Sequence, residues 1–131
     1  MKRTVIDTNV LVSSTISPNG NPAQIMKEIS YRELQLFYSP EILNEYKKVL
    51  AYGILNIPTQ TQNKVIEGIK KLGILIRPGI STIPFADETD RIFYDTAQES
   101  SAILITGNIK HYPAEPFIMT PADFSTFIEN D

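Results

Sequence analysis

Short, wholly apolar runs alternate along this chain with longer segments in which apolar residues recur at the spacing of a helix. Runs of this length without polar alternation are typical of strands that are buried on both faces of a sheet. We predict five such strands, over 4–6, 34–38, 74–76, 103–105 and 117–119. Helices are predicted over about 23–31, 40–51, 59–72 and 87–100, with a last helix opening at Pro121.

Residues that start or stop helices stand at several of these boundaries. Ser39 offers a hydroxyl that can cap a helix, and Pro40 suits the first helical position. Gly73 ends the third predicted helix, and the segment 17–22, rich in Pro, Gly and Asn, is predicted as a loop before the first. Because strands and helices alternate throughout, we expect a mainly parallel five-stranded sheet covered on both faces, which is a three-layer α/β sandwich.

The bulk composition narrows the function classes. With 131 residues and 42% hydrophobic content, the chain suits one domain spanning 1–131. Its net charge of -3 argues against a protein that holds duplex DNA by bulk electrostatics. The chain has no cysteine, which excludes disulfides and thiolate zinc sites and agrees with the cytosol as the default location. The apolar stretch before Asp7 is too short for a signal sequence, and we expect a soluble protein.

Polar residues follow two of the predicted strands at the points where they end. Asp7 comes directly after the first strand, and Asn108 comes shortly after the fourth. In an open parallel sheet, ligands collect outside the carboxyl ends of the strands, where a carboxylate can hold a metal. Asn108 also has a simpler interpretation, because Asn is common in turns that follow a glycine.

Two further acids border the apolar stripes of predicted helices. Glu45 lies one step outside the stripe of its helix, although a solvated glutamate beside lysines is the plainer interpretation. Asp90 lies just ahead of Phe93, where it can project beside the core, whereas Asp95 is predicted on a solvated face with Glu88 and Glu99.

Other chemistries find little support among these residues. Asp87 and Asp90 stand three residues apart at a helix start, so they also resemble a capping arrangement. His111 is the single histidine and cannot build a histidine-rich zinc site. No strong serine-centred motif is present, so acids with a hard cation are the most economical chemistry.

Taken together, these segments resemble the PIN-domain ribonuclease family, in particular its bacterial branch of toxin components of type II toxin–antitoxin systems. The resemblance covers nearly the whole chain, and five pieces in the right order make it fairly specific. They are VIDTNVLVS from Val5, the helix start SPEILNE from Ser39, DETDRIFYDTA from Asp87, LITGNIKHYP from Leu104 and MTPADF from Met119.

The resemblance implies the strand order 3-2-1-4-5 and a cleft of acids that binds Mg²⁺ or Mn²⁺. By position, Asp7, Glu45 and Asp90 correspond to the family's first three acids, and Asp87 is a secondary ligand. The fourth position, usually aspartate, is Asn108 here, so it brings an oxygen but no negative charge. Further residues are expected to contact substrate or phosphate around the cleft: Thr8, Asn9, Thr106, Lys110, Arg91 and either Lys47 or Lys48.

The resulting hypothesis is a divalent-metal-dependent endoribonuclease that cuts single-stranded RNA with water as the nucleophile. The resemblance also implies an antitoxin partner and self-association into dimers or larger oligomers. One alternative is a catalytically degenerate PIN domain that binds RNA or protein, because Asn108 replaces an acid. An aspartyl-nucleophile phosphohydrolase is a weaker alternative, because position 9 is Asn where such enzymes carry a second Asp.

Overall fold

The computed structural model describes residues 1–130. Successive strands are separated by one or two helices, except that only a 3₁₀ turn lies between the last two strands. The strands are β1 (Lys2–Ile6), β2 (Leu34–Tyr38), β3 (Ile74–Leu75), β4 (Ile103–Ile105) and β5 (Ile118–Met119). The helices are α1 (Thr8–Ile16), α2 (Asn21–Ser30), α3 (Pro40–Leu50), α4 (Thr59–Leu72), α5 (Arg91–Ser100) and α6 (Pro121–Glu129).

The five strands form one sheet in the order β3-β2-β1-β4-β5, and all neighbouring pairs are parallel. The α/β class predicted from the sequence pattern and the strand order implied by the resemblance are therefore both confirmed. The register pairs Ile6 of β1 with Ile105 of β4. Asp7 and Thr106, which follow them, consequently leave the sheet side by side at its carboxyl edge.

Helices cover the sheet to complete three layers. Helix α5 contacts β1, β2 and β4, while α2 contacts α1, α6 and β2. The central strands contribute fully buried side chains such as Val5, Leu36 and Leu104, which fits their wholly apolar sequences. No helix within residues 1–130 combines the length and the apolar character needed to cross a membrane.

Local sequence explains most helix boundaries. The Ser39 hydroxyl accepts a hydrogen bond of 3.2 Å from the Ile42 amide at the start of α3, as predicted. The Thr120 hydroxyl caps α6 in the same way. Gly73 ends α4 where a Cβ would stand 2.7 Å from the Tyr38 ring and 2.8 Å from the Ile69 carbonyl oxygen, so a glycine is required there by close approach.

Helix α1 was not predicted. Its sequence, TNVLVSSTI, is rich in β-branched residues and lacks a clear apolar stripe, so neither propensity nor periodicity reveals it. The helix is started by Asp7, whose side chain accepts a hydrogen bond from the Thr8 amide. The region 87–100 also differs slightly, because a 3₁₀ turn over Glu88–Asp90 precedes α5.

The prediction that Asp95 lies on a solvated face is wrong. Asp95 is only 7% exposed, and its Oδ2 accepts a hydrogen bond of 3.1 Å from the Ser81 amide. The reason is tertiary: the segment between β3 and α5 folds over this side of the helix. Arg91 holds the same segment by donating 2.7 Å to the Ser81 carbonyl oxygen, and it pairs with Glu88 at 2.7 Å. Its guanidinium is thus engaged within the chain.

Candidate active site

The candidate site lies at the carboxyl edge of β1 and β4. Asp7 is the first residue after β1 and is 5% exposed. Its amide donates a hydrogen bond of 3.0 Å to the Ile105 carbonyl oxygen, which ties it to the end of β4. The most buried acid of the predicted set therefore stands where the two central strands end together.

Four donors surround the Asp7 carboxylate. Oδ1 accepts 2.7 Å from the Thr8 amide. Oδ2 accepts from the Thr106 hydroxyl at 2.7 Å, the Tyr112 hydroxyl at 3.0 Å and the Asn9 side-chain amide at 3.2 Å. These bonds stabilise a buried negative charge and fix its orientation. Because Oδ1 has one donor and Oδ2 has three, Oδ1 keeps more lone-pair capacity for a further ligand.

Two buried tyrosines at this site were not identified from the sequence. Tyr112 is 7% exposed, and burial together with the Asp7 charge raises its pKa. The same two causes raise the pKa of Tyr46, whose hydroxyl donates to the Ile6 carbonyl oxygen. Both remain neutral donors. Tyr46 belongs to the apolar stripe of α3 that the sequence reveals. A buried hydroxyl needs a hydrogen-bond partner, but the sequence does not identify that partner.

Asn9 links the two strand ends. Its side chain donates to Asp7 and accepts a hydrogen bond of 2.9 Å from the Gly107 amide. A Cβ at Gly107 would stand 3.0 Å from Asn9 Oδ1, so a side chain there would press on this contact. Asn108 is exposed, and its backbone amide donates a hydrogen bond of 3.0 Å to the Thr106 hydroxyl. The turn after β4 is thereby fastened to Asp7 through Thr106.

Asp90 has the opposite electrostatic character to Asp7. Its Oδ2 is buried without a hydrogen-bond partner among residues 1–130, and His111 Nδ1 lies 3.7 Å from it. Burial, followed by the charges of Asp7, Asp87 and Glu45, raises the pKa of Asp90 to about 6, against a smaller opposing effect of His111. The acids of three separate elements therefore repel one another at this edge, which is the arrangement a bound cation relieves.

The other predicted residues lie around these two acids. Asp87 is exposed and caps the 3₁₀ turn by accepting from the Thr89 amide and hydroxyl, which lower its pKa. Its predicted capping role is confirmed. Glu45 is half-buried on α3, and Lys110 is exposed beyond β4. The Thr8 hydroxyl is buried and has no hydrogen-bond partner among the described residues.

The donor set fits a hard divalent cation held by few protein ligands. Within residues 1–130, no group of three or more Asp, Glu or His side chains is arranged to hold an ion by itself. Mg²⁺ commonly uses one or two carboxylates, completed by waters and substrate phosphates. The unpartnered Asp90 oxygen and the freer Asp7 oxygen match that requirement.

Comparisons with known proteins agree with this architecture. Residues 3–110 match the family described as PIN domain. The uncharacterized protein MJ1680 of Methanocaldococcus jannaschii is 33% identical over 109 residues, which cover 81% of this chain and 70% of that protein. The crystal structure of VapBC2 from Rickettsia felis bound to a DNA fragment from their promoter contains a chain of similar fold. That match has a TM-score of 0.57 and 14% identity, and covers 90% of this chain and 96% of that one.

Proposed function

This chain belongs to the PIN-domain family, and from that premise we propose that it is a divalent-metal-dependent endoribonuclease acting on single-stranded RNA. Members of this family are generally nucleases. The observation that carries the proposal is the buried Asp90 Oδ2, which has no hydrogen-bond partner among residues 1–130. Burial first, and then the charges of Asp7, Asp87 and Glu45, raises the pKa of this carboxyl to about 6. Clustered carboxylates that are destabilised by one another are typical of metal-dependent sites.

In this proposal, Asp7, Asp90 and Glu45 hold Mg²⁺ or Mn²⁺, and Asp87 is an additional ligand. A divalent cation bound there lowers the pKa of a coordinated water and neutralises charge on the scissile phosphate. Asn108 contributes an amide oxygen that orients the attacking water. Because an amide brings no charge, the negative potential of the site comes from the acids alone.

The remaining residues orient the acids and receive the substrate. Thr106, Tyr112 and Asn9 keep the Asp7 carboxylate in one position through the bonds to its Oδ2. Lys110 is exposed at the same edge, where its ammonium can contact a phosphate. The Thr8 hydroxyl, next to Asp7 and without a hydrogen-bond partner among the described residues, is an uncharged donor for the same phosphate. A net charge of -3 provides no broad basic surface for a duplex, which supports a single-stranded substrate.

We further propose that the chain acts in the cytosol as the toxin of a toxin–antitoxin pair. The fold shared with a chain of the VapBC2 complex supports a protein partner. A largely apolar cavity of about 310 Å³ between α1, α2 and α4, lined in part by Leu11, Met26, Val65 and Leu72, gives that partner a docking surface. Overproduction of the native chain should slow growth, and co-expression of its partner should restore it. Self-association belongs to the same proposal.

A catalytically degenerate PIN domain that binds RNA or protein is the second candidate. Asn108 favours it, because the site has one acid fewer than the family pattern. The lack of three acids or imidazoles preassembled around a point within residues 1–130 favours it too. A degenerate domain would bind unstructured RNA and leave it intact at every Mn²⁺ concentration.

The two candidates are separated by an RNA cleavage assay. Native chain should cut unstructured RNA only when Mn²⁺ or Mg²⁺ is added, and Asp7→Asn should lower the rate by at least about 100-fold. Asp123→Asn is the matched control, because Asp123 is exposed on α6 and outside the site, and it should cut at the native rate. Equal rates for native chain and Asp7→Asn would exclude catalysis at this site.

A further inference from the structure

A cavity of about 590 Å³ lies beside the candidate site. It is formed by the segment that runs from the turn after β4 to β5. This volume falls in the range of roughly 300–1,000 Å³ that is usual for pockets binding small molecules or parts of larger ligands. Its lining includes Ile109, Lys110, Tyr112, Glu115, Pro116 and Ile118.

The cavity is tied to both principal acids through residues of its own segment. The Tyr112 hydroxyl donates 3.0 Å to Asp7, and Tyr112 also lines the cavity. His111, between Lys110 and Tyr112, places its Nδ1 3.7 Å from Asp90. A group bound in the cavity would therefore contact Tyr112, which is itself hydrogen-bonded to Asp7.

The lining combines the features that recognise an unpaired nucleotide. Ile109, Pro116 and Ile118 provide apolar walls, and Ile109 is 40% exposed, so one wall is open to solvent. Lys110 brings a cation to the rim for a phosphate. Glu115 brings a carboxylate whose Oε1 also accepts 3.3 Å from the Tyr94 hydroxyl, which orients it. An apolar protein side chain would fill the walls but offer no partner to Lys110 or to Glu115.

We propose that this cavity binds one unpaired RNA base that carries an exocyclic amino group, adjacent to the phosphate that is cut. The proposal rests on the proposed ribonuclease function and deepens it by naming a specificity pocket. Glu115 is the specificity residue, because a carboxylate accepts hydrogen bonds and cannot donate them. Cytosine, adenine and guanine offer amino donors, whereas the single ring N–H of uracil stands between two carbonyl oxygens that repel a carboxylate.

Cleavage provides the first readout. RNAs made of uridine with one internal cytidine, adenosine or guanosine are incubated with native chain and Mn²⁺. Cuts should occur next to the amino-bearing base about tenfold faster than at uridine-only positions. Glu115→Gln should reduce that preference to about twofold or less, since its amide can also donate to uracil. Glu33→Gln is the matched control, because Glu33 is exposed just before β2 at the opposite edge of the sheet, and it should keep the preference.

Binding without metal provides a second readout that does not depend on catalysis. In EDTA, cytidine 5′-monophosphate should shift the methyl NMR signals of Ile109 and Ile118, and uridine 5′-monophosphate should shift them about tenfold more weakly at equal concentration. Selective shifts without any RNA cleavage would support the pocket and overturn the ribonuclease. Cleavage with no base preference, or equal or absent methyl shifts for the two nucleotides, would overturn the pocket.

Discussion

At the scale of single residues, the carboxylates of Asp7 and Asp90 lie in opposite electrostatic environments. Asp7 is buried and surrounded by donors, so its carboxylate is stabilised in one orientation. Asp90 has a buried oxygen without a donor and a raised pKa, so its charged form is destabilised. A cation would gain a fixed ligand from the first acid and relieve electrostatic strain at the second.

Removing the Asp90 charge should stabilise the metal-free protein. The pKa of Asp90 rises from 3.8 to about 6 on folding, so the folded state binds the proton more tightly than the unfolded state. The destabilisation is therefore present above pH 6 and disappears as the pH falls toward 4. In EDTA at pH 7.5, Asp90→Asn should raise the free energy of unfolding by about 1 kcal/mol, and the gain should vanish near pH 4.

Urea denaturation at the two pH values measures this effect. Asp123→Asn, which changes an exposed carboxylate of α6, should leave the native pH dependence in place. An Asp90→Asn protein that is less stable than the native chain at pH 7.5 would show that the Asp90 charge is already well compensated.

Loss of the Tyr112 hydroxyl should cost stability and activity together. Tyr112→Phe removes one donor from Asp7 Oδ2 while the apolar ring contacts remain. We expect unfolding to become easier by about 1–2 kcal/mol, because a buried carboxylate loses a partner. Cleavage should slow as the orientation of Asp7 loosens.

Tyr31→Phe is the control, since Tyr31 is 70% exposed. Thermal denaturation and the RNA assay should give the native stability and the native cleavage rate for this variant. If Tyr112→Phe were as stable and as active as the native chain, the hydrogen bond from Tyr112 would have no role in positioning Asp7.

At the scale of helices and strands, the sequence predicts the elements whose signals are local. Helix α3 has its Ser39 cap, Pro40 and a clear apolar stripe, and β2 and β4 were predicted with the same bounds as the structure. Helix α1 has no such signal, because its start depends on Asp7 and its sequence lacks an apolar stripe. Asp95 was misplaced because helical geometry alone does not reveal a segment folding over it.

Only the part of the candidate site that depends on local sequence could be predicted. Asp7 and Asp90 stand out because strand ends and stripe borders can be read from local sequence. Tyr112 does not, because its bond to Asp7 joins residues 105 positions apart in the chain. The charge balance at Asp90 likewise depends on three elements brought together by the fold.

Two glycines of the α4 region should respond in opposite directions to the same substitution. A Cβ at Gly73 would meet the Tyr38 ring and the Ile69 carbonyl, so Gly73→Ala should lower the free energy of unfolding by about 1–3 kcal/mol. Gly68 lies in the interior of α4, and a Cβ there would meet no other described atom within 4 Å. Gly68→Ala should therefore raise the free energy of unfolding by about 0.5–1 kcal/mol. Urea denaturation of both variants measures the difference. Equal changes in the free energy of unfolding for the two variants would mean that the α4–β3 junction accommodates the added methyl group of Gly73→Ala.

At the scale of the whole molecule, the fold brings negative charge to one edge of a chain that is already negative. The acids at this edge would repel an RNA phosphate unless a cation lies between them. The family assignment agrees with such a site, and Asn108 brings no charge at a position where the resemblance implies an aspartate. The extent of one domain over 1–131 stays a prediction, as do the ligand roles of the acids.

The central claim is that Asp7 and Asp90 belong to one cation site, and direct Mn²⁺ binding tests it most plainly. Titration of free Mn²⁺ by electron paramagnetic resonance at pH 7.5 should reveal binding to native chain and to Asp123→Asn. Asp7→Asn and Asp90→Asn should each weaken that binding by at least about tenfold. Affinities equal to the native value in both acid variants would contradict the account.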